Sequence, residues 1–123
     1  MMKPTILIVE DNDSIRVSLR DWLSTIFPDG HSLEAKSGEE AVAAACLQKP
    51  DVVLMEIELP QMNGIDATRN IKDVLPKTHI VMLTTHENSR YKIEAIKAGA
   101  SAYVTKRKMH SQLIPTLKGL LFP

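Results

Sequence analysis

Three segments of this 123-residue chain, TILIVE (5–10), DVVLME (51–56) and HIVMLT (79–84), are nearly continuous in Val, Ile, Leu and Met. A strand with one wet face alternates apolar with polar residues. Unbroken runs instead suit strands covered on both faces, as in a parallel sheet between two helical layers. Two further segments, HSLEAK (31–36) and AYVTK (102–106), bring the count to five. The first of these alternates, which places it nearer an edge.

Stretches of helical periodicity separate the strands. Ile15, Leu19, Trp22, Leu23 and Ile26 form one apolar stripe behind the capping candidates Asn12 and Asp13. Ala41, Val42, Ala45 and Cys46 form a second, with Ser37 as N-cap, and Ala67, Ile71, Val74 and Leu75 a third, stopped by Pro76. A thinner fourth stripe, Ile93 and Ile96, closes at Gly99. The fifth carries Leu113, Leu117, Leu120 and Leu121. With Ser111 as its N-cap, Pro115 falls in the first turn at modest cost, and Gly119 weakens the last turn. The spacing therefore predicts a short last helix, frayed at its end. Strand and helix alternate five times, which argues for an α/β fold with right-handed crossovers.

The length fits one domain, residues 1–123, with one core. Fifteen basic residues balance fifteen acidic ones, so no electrostatic footprint for nucleic acid is present. No apolar stretch approaches a membrane span. The short apolar run near the start ends at once on EDND, unlike a secretory signal, and a single cysteine suits a reducing compartment. These features predict a cytoplasmic location and no membrane partner.

In open α/β sheets ligands bind beyond the carboxyl ends of the strands. The first strand ends in Glu10 and Asp11, the third in Glu56, the fourth in Thr84 and the fifth in Lys106. Three carboxylates on one rim repel one another unless a cation joins them. Mg²⁺ suits such a rim, because it takes one or two carboxylates, keeps several waters and binds phosphate oxygens. A lysine and a hydroxyl opposite the acids suit a phosphoryl group. The residues alone thus describe a phosphoryl-handling site.

The motifs ILIVEDN, PDVVLMEIELPQMNG, VMLTT and AGASAYVTK, at this spacing, resemble the receiver domain of a two-component response regulator over essentially the whole chain. The resemblance implies a doubly wound, five-stranded parallel sheet of order 2-1-3-4-5, the flavodoxin-like and CheY-like (βα)5 arrangement. It implies that Asp11 ligates Mg²⁺ directly and Glu10 through water, with Glu56 and the Glu58 backbone carbonyl completing the protein's share. Thr84 would bond a phosphoryl oxygen, Lys106 would pair with it, and Tyr103 would turn inward when Thr84 moves. Phosphoryl groups would come from a histidine kinase or phosphotransfer protein. Output would pass to a further domain, often DNA-binding, or to self-association through the last two helices and fifth strand. This chain itself would signal rather than catalyse.

Glu56 stands where the family has its phosphoacceptor aspartate. The extra methylene displaces the carboxylate by ~1.3 Å, and a ~1 Å misplacement can cost ~100-fold in rate. Poor phosphorylation is expected, and a charge of about −1 against roughly −1.5 to −2 for phosphate allows only partial mimicry of the active state. Either Glu56 replaces an aspartate in an ordinary regulator, or it is native to a domain that signals without phosphorylation. The otherwise complete machinery favours the first. Thr85, in place of a smaller residue, should narrow access, and Arg107, in place of a common proline, should alter the last loop.

Each of these residues also has a simpler reading. A strand-end acid is usually a solvated charge, but three acids together with Thr84 and Lys106 at family spacing argue against that here. Tyr103 alone would be ordinary packing, Cys46 a small buried hydrophobe, and Met62 and Asn63 parts of a turn. His31, His79, His86 and His110 are scattered surface or loop residues, although His86 is close enough to Thr84 to affect hydrolysis of a phosphoryl group. A phosphatase using Asp11 and Asp13 lacks the length for a cap, and EDND is neither a flavin nor a dinucleotide phosphate loop.

Overall fold

The computed structural model describes residues 3–123. Five parallel strands, β1 (Thr5–Val9), β2 (His31–Ala35), β3 (Val52–Met55), β4 (His79–Thr84) and β5 (Ala102–Thr105), lie in the order 2-1-3-4-5. The helices are α1 (Asp13–Ile26), α2 (Gly38–Gln48), α3 (Gly64–Val74), α4 (Ser89–Ala98) and α5 (Met109–Leu121), with a 3-10 turn at Lys106–Lys108. Strand order reverses between β1 and β3, which therefore flank the switch point.

Alternation along the strands divides the core into two layers. Leu7, Val9, Val53, Met55, Ile80 and Met82 face Ala41 and Ala45 of α2, Ala67 and Ile71 of α3, and Ala95 and Ala98 of α4. Ile6, Ile8, Val52, Leu54, Val81, Leu83 and Val104 face Leu19 and Leu23 of α1 and Leu113, Leu117 and Leu121 of α5. Both layers are dry, which explains why the strands read as continuous apolar runs. Val9 pairs with Met55 and Met55 with Met82, so β1 and β3 end level while β4 runs two residues further, to Thr84. The charged residues at the ends of the first, third and fifth runs step just past their strands onto a common rim.

Two helix starts follow the polar cues: Asn12 accepts from the Ile15 amide and Ser37 from the Glu40 amide. Asn63, read as part of a turn, caps α3 by accepting from the Ile65 and Asp66 amides. Gly99 ends α4 in the left-handed region at φ 113°, in keeping with its position after the last periodic residue.

Four sequence readings are corrected. Cys46 is exposed, because α2 packs through the narrow Ala41 and Ala45 stripe and the cysteine lies beyond its edge. Val74 is exposed at the end of α3. On α4 the isoleucines are not the core face. Ile93 is 55% and Ile96 48% exposed, while the small Ala95 and Ala98 let the helix lie close to the sheet. The last helix begins at Met109, not after Ser111, so Pro115 is an interior residue and the helix still runs to Leu121. Burying three leucines contributes about 2 kcal/mol each, which outweighs about 3 kcal/mol for the proline and about 1 for Gly119.

One glycine is fixed by close approach. A Cβ on Gly64 would lie 1.9 Å from the Glu56 carbonyl oxygen, so α3 can start here only without a side chain. Gly64→Ala should destabilise the chain by about 3 kcal/mol, read as a lower urea midpoint. Pro115 is exposed, and Pro115→Ala should raise stability by about 1–3 kcal/mol by restoring an intrahelical bond.

Candidate functional site

The end of β1 delivers two adjacent acids to different environments. Glu10 is 3% exposed, whereas Asp11 faces solvent. The Glu10 amide extends the ladder to the Ala35 carbonyl at 3.1 Å. Its carboxylate accepts from the Asn12 amide at 3.1 Å and from the Lys106 ammonium at 2.5 Å.

Glu56 steps off β3 in the same way. Its amide donates to the Val9 carbonyl at 3.1 Å, and the residue is 6% exposed. Oε1 accepts from Lys106 at 2.7 Å. Oε2 turns back on its own loop and accepts from the Ile57 amide at 2.7 Å and the Glu58 amide at 3.3 Å. The site is thus an ammonium held between two buried carboxylates, one of them also cradled by main-chain N–H groups.

Burial pushes the Glu10 carboxyl above the ordinary glutamate range, although Lys106 and the Asn12 amide oppose it. Burial alone would weaken the charge on Lys106, but its bonds to Glu10 and Glu56 outweigh that and hold its pKa up. Burial also raises the Tyr103 phenol, with the Glu56 charge adding to it.

Thr84 and Tyr103 meet through a third residue. The fully buried Thr84 hydroxyl accepts from the His86 amide at 3.3 Å, and the Tyr103 hydroxyl donates to the His86 carbonyl at 2.8 Å. The His86 ring lies against Tyr91, with centroids 4.7 Å apart, and 3.7 Å from the Glu58 carboxylate. Arg107 donates to Glu87 at 2.8 Å and so ties the last loop to the one after β4. Thr85 is exposed.

Glu10, Asp11 and the Glu58 carbonyl are hard oxygen donors, the type Mg²⁺ takes. Asp11 is the one open to solvent, which fits a cation that keeps several waters. Glu56 has both oxygens committed to Lys106 and the loop amides. Among the described residues no group of three His, Cys, Asp or Glu side chains is gathered around a common point. The donor types fit the ion, with the Glu10 and Glu56 carboxylates both engaged by the chain's own donors in this arrangement.

Of the expected residues, Glu10, Glu56 and Lys106 are in direct contact. Asp11 and Glu58 lie at the rim, and Thr84 and Tyr103 are joined through the His86 peptide. Sequence reasoning missed Arg16, which is buried at 5% exposure and donates to the Glu10 carbonyl. The clue was its place in the buried stripe, three residues before Leu19 and seven before Leu23. A groove of about 690 Å³ between Lys49, Leu75, Lys77 and Leu121 lies at the opposite end of the sheet and shares nothing with this site.

Comparison with known proteins gives a consistent picture. The model of the response regulator receiver domain matches residues 6–118. The transcriptional regulatory protein YxjL of Bacillus subtilis is 34% identical over 116 residues, covering 94% of this chain and 53% of that protein. The response regulator protein VraR of Staphylococcus aureus is 35% identical over 101 residues, covering 82% and 48%. The chain therefore spans about half the length of the curated relatives it matches. Among solved structures, a LuxR-family two-component response regulator from Aurantimonas sp. SI85-9A1 superposes with a TM-score of 0.90 at 30% identity, over 98% of this chain and 86% of that one. The response regulator domain of Thermotoga maritima CheB gives 0.86 at 30% identity, over 98% and 97%.

Removing the ammonium should expose how much the two acids depend on it. Lys106→Met should lose about 3 kcal/mol at pH 7, because a buried pair is broken and charge is left uncompensated. The folded pKa of Glu10 already lies above its unfolded value near 4.5 and would rise further. The deficit relative to the parent should therefore grow as pH rises through that folded value and shrink as pH falls toward 4.5. Urea titrations of both chains across this range check it.

Proposed function

Because the chain belongs to the response-regulator receiver family, we propose that residues 1–123 act as one receiver module in which Glu56 is a poor phosphoacceptor and a partial mimic of the phosphorylated state. The observation that carries this reading is the uneven engagement of the Glu56 carboxylate. Oε1 already holds Lys106, the partner a phosphoryl oxygen would take. Thr84, the other expected partner, bonds the His86 amide instead. The charge partner is engaged and the hydroxyl is not, so the carboxylate does part of what a phosphoryl group would do.

The same bonds argue against efficient phosphoryl transfer. An attacking carboxylate oxygen needs a free lone pair in line with the phosphorus. One oxygen of Glu56 is held by an ammonium and the other by two amides, so attack would have to use the one lone-pair site left on Oε1, from the position those bonds impose. When bound, Mg²⁺ would neutralise phosphoryl charge. Asp11, Glu10 and the Glu58 carbonyl are the groups to hold it, and Lys106 would supply further positive charge.

Donors of phosphoryl groups to such a module are histidine kinases or phosphotransfer proteins. Ile93 and Ile96, exposed on α4, support use of the α4–β5–α5 face for output or self-association. The balanced charge of the chain supports a protein partner for that face rather than nucleic acid. No helix among the described residues is long and apolar enough to cross a membrane. A second reading, a phosphorylation-independent interaction module, is favoured by the clasp of Glu10, Lys106 and Glu56, in which one ammonium of the chain itself bridges both buried carboxylates.

The test uses Mg²⁺ and a small acyl phosphate, read by mass spectrometry. Glu56→Asp should gain one phosphoryl mass, and the parent should gain it ~100-fold more slowly. Equal labelling of the two would overturn the poor-acceptor reading. For mimicry, the amide resonances of Thr84, His86 and Tyr103 in the parent should lie between those of unphosphorylated and phosphorylated Glu56→Asp. Glu56→Gln should move them to the unphosphorylated end.

A further inference from the structure

Arg16 is a charged side chain inside the protein with no part in the chemistry above. It sits in the first turns of α1 and divides its guanidinium among three acceptors. Nε donates to the Glu34 carboxylate of β2 at 2.9 Å, Nη2 to the Asp13 carboxylate at 2.7 Å, and Nη1 to the Glu10 main-chain carbonyl at 2.9 Å. Glu34 is gripped a second time by Arg20 at 3.2 Å, so the fork is anchored on an edge strand that is itself braced. Its desolvation is met by two carboxylates and a carbonyl, a set that only a planar fork can address at once.

The bond to Glu10 is the informative one. The Glu10 amide is held by Ala35, one carboxylate oxygen by Lys106, the other by the Asn12 amide, and the carbonyl by Arg16. The residue is thus fixed at every polar atom. The next residue, Asp11, is exposed. The peptide whose carbonyl Arg16 grips is the one that joins the inward acid to the outward acid.

We propose that Arg16 is a positioning residue for this acid pair: by holding the Glu10 carbonyl it sets the turn that sends Glu10 to Lys106 and leaves Asp11 at the rim for a hard divalent cation. The cation half rests on the reading of the rim as a Mg²⁺ site; the backbone half does not. Lysine keeps the charge but carries its three donors on one nitrogen, so it does not reproduce the spread of the fork over three separated acceptors. Glu34→Gln loosens the network at β2 while leaving the bond to Glu10 in place, so it reports on a merely structural role.

Mn²⁺ serves as the probe, titrated by calorimetry into the whole chain, and amide hydrogen exchange is followed at Asn12 and, as a core reference, at Leu54. Arg16→Met and Arg16→Lys should each weaken Mn²⁺ binding by about tenfold or more and speed exchange at Asn12 relative to Leu54. Glu34→Gln should lower stability yet leave both readouts near the parental values. Should Arg16→Met fail to fold, Arg16→Lys carries the test. Parental Mn²⁺ affinity and Asn12 exchange in a folded Arg16 variant would overturn the inference, as would equal changes in Glu34→Gln. If the parent itself binds no Mn²⁺, the cation reading fails, and the exchange data alone decide for or against Arg16.

Discussion

The interaction on which this rim depends is the Lys106 ammonium lodged between the carboxylates of Glu10 and Glu56. Each acid is nearly inaccessible to water, and neither has a second cationic side chain as partner. A buried charge without a partner costs several kcal/mol, so the lysine decides whether the two strand ends can be acidic at all. The sheet makes the arrangement possible. β1 and β3 are hydrogen-bonded neighbours, and their level ends put the two acids side by side. Lys106 reaches them from beyond β5, past the whole width of β4. One side chain therefore ties the last crossover to the first.

A second tie runs through main chain. The peptide groups of His86 give an N–H to Thr84 and a carbonyl to Tyr103, so a residue on β4 and a residue on β5 report to the same short segment. A shift of Thr84 that broke its bond to the His86 amide would free the segment that restrains Tyr103. The hydroxyl and the phenol are thus linked through the His86 main chain without touching. The Glu87 to Arg107 pair crosses the same gap further out, but both groups are exposed and such a pair contributes little.

The fold was legible because its signals are redundant. Continuous apolar runs, cap residues and alternating periods all state the same architecture, so no single misread residue changes it. The errors fall where one signal stood alone. Ile93 and Ile96 looked like a core stripe because hydrophobicity was the only cue on a thin helix, and the alanines that let α4 approach the sheet carry no such emphasis. Pro115 looked like a first-turn residue because local propensity favours that, and three buried leucines override it. At the rim, the placement of the strand-end residues was legible, but their pairing was not. Which acid takes the lysine, which faces water, and that His86 mediates between Thr84 and Tyr103 depend on side-chain directions and loop paths that spacing does not encode. Arg16 was missed because an arginine on an apolar stripe reads as noise until its three acceptors are seen.

The extra methylene of Glu56 is best understood through these bonds. A carboxylate at a strand end must satisfy two oxygens in a dry place. The longer side chain lets one oxygen meet Lys106 while the other folds back to the Ile57 and Glu58 amides. Three of the chain's own donors then hold the carboxylate, and the ammonium among them is shared with Glu10. The residue is thus not merely an aspartate moved outward by a bond length. Its length changes which donors it finds.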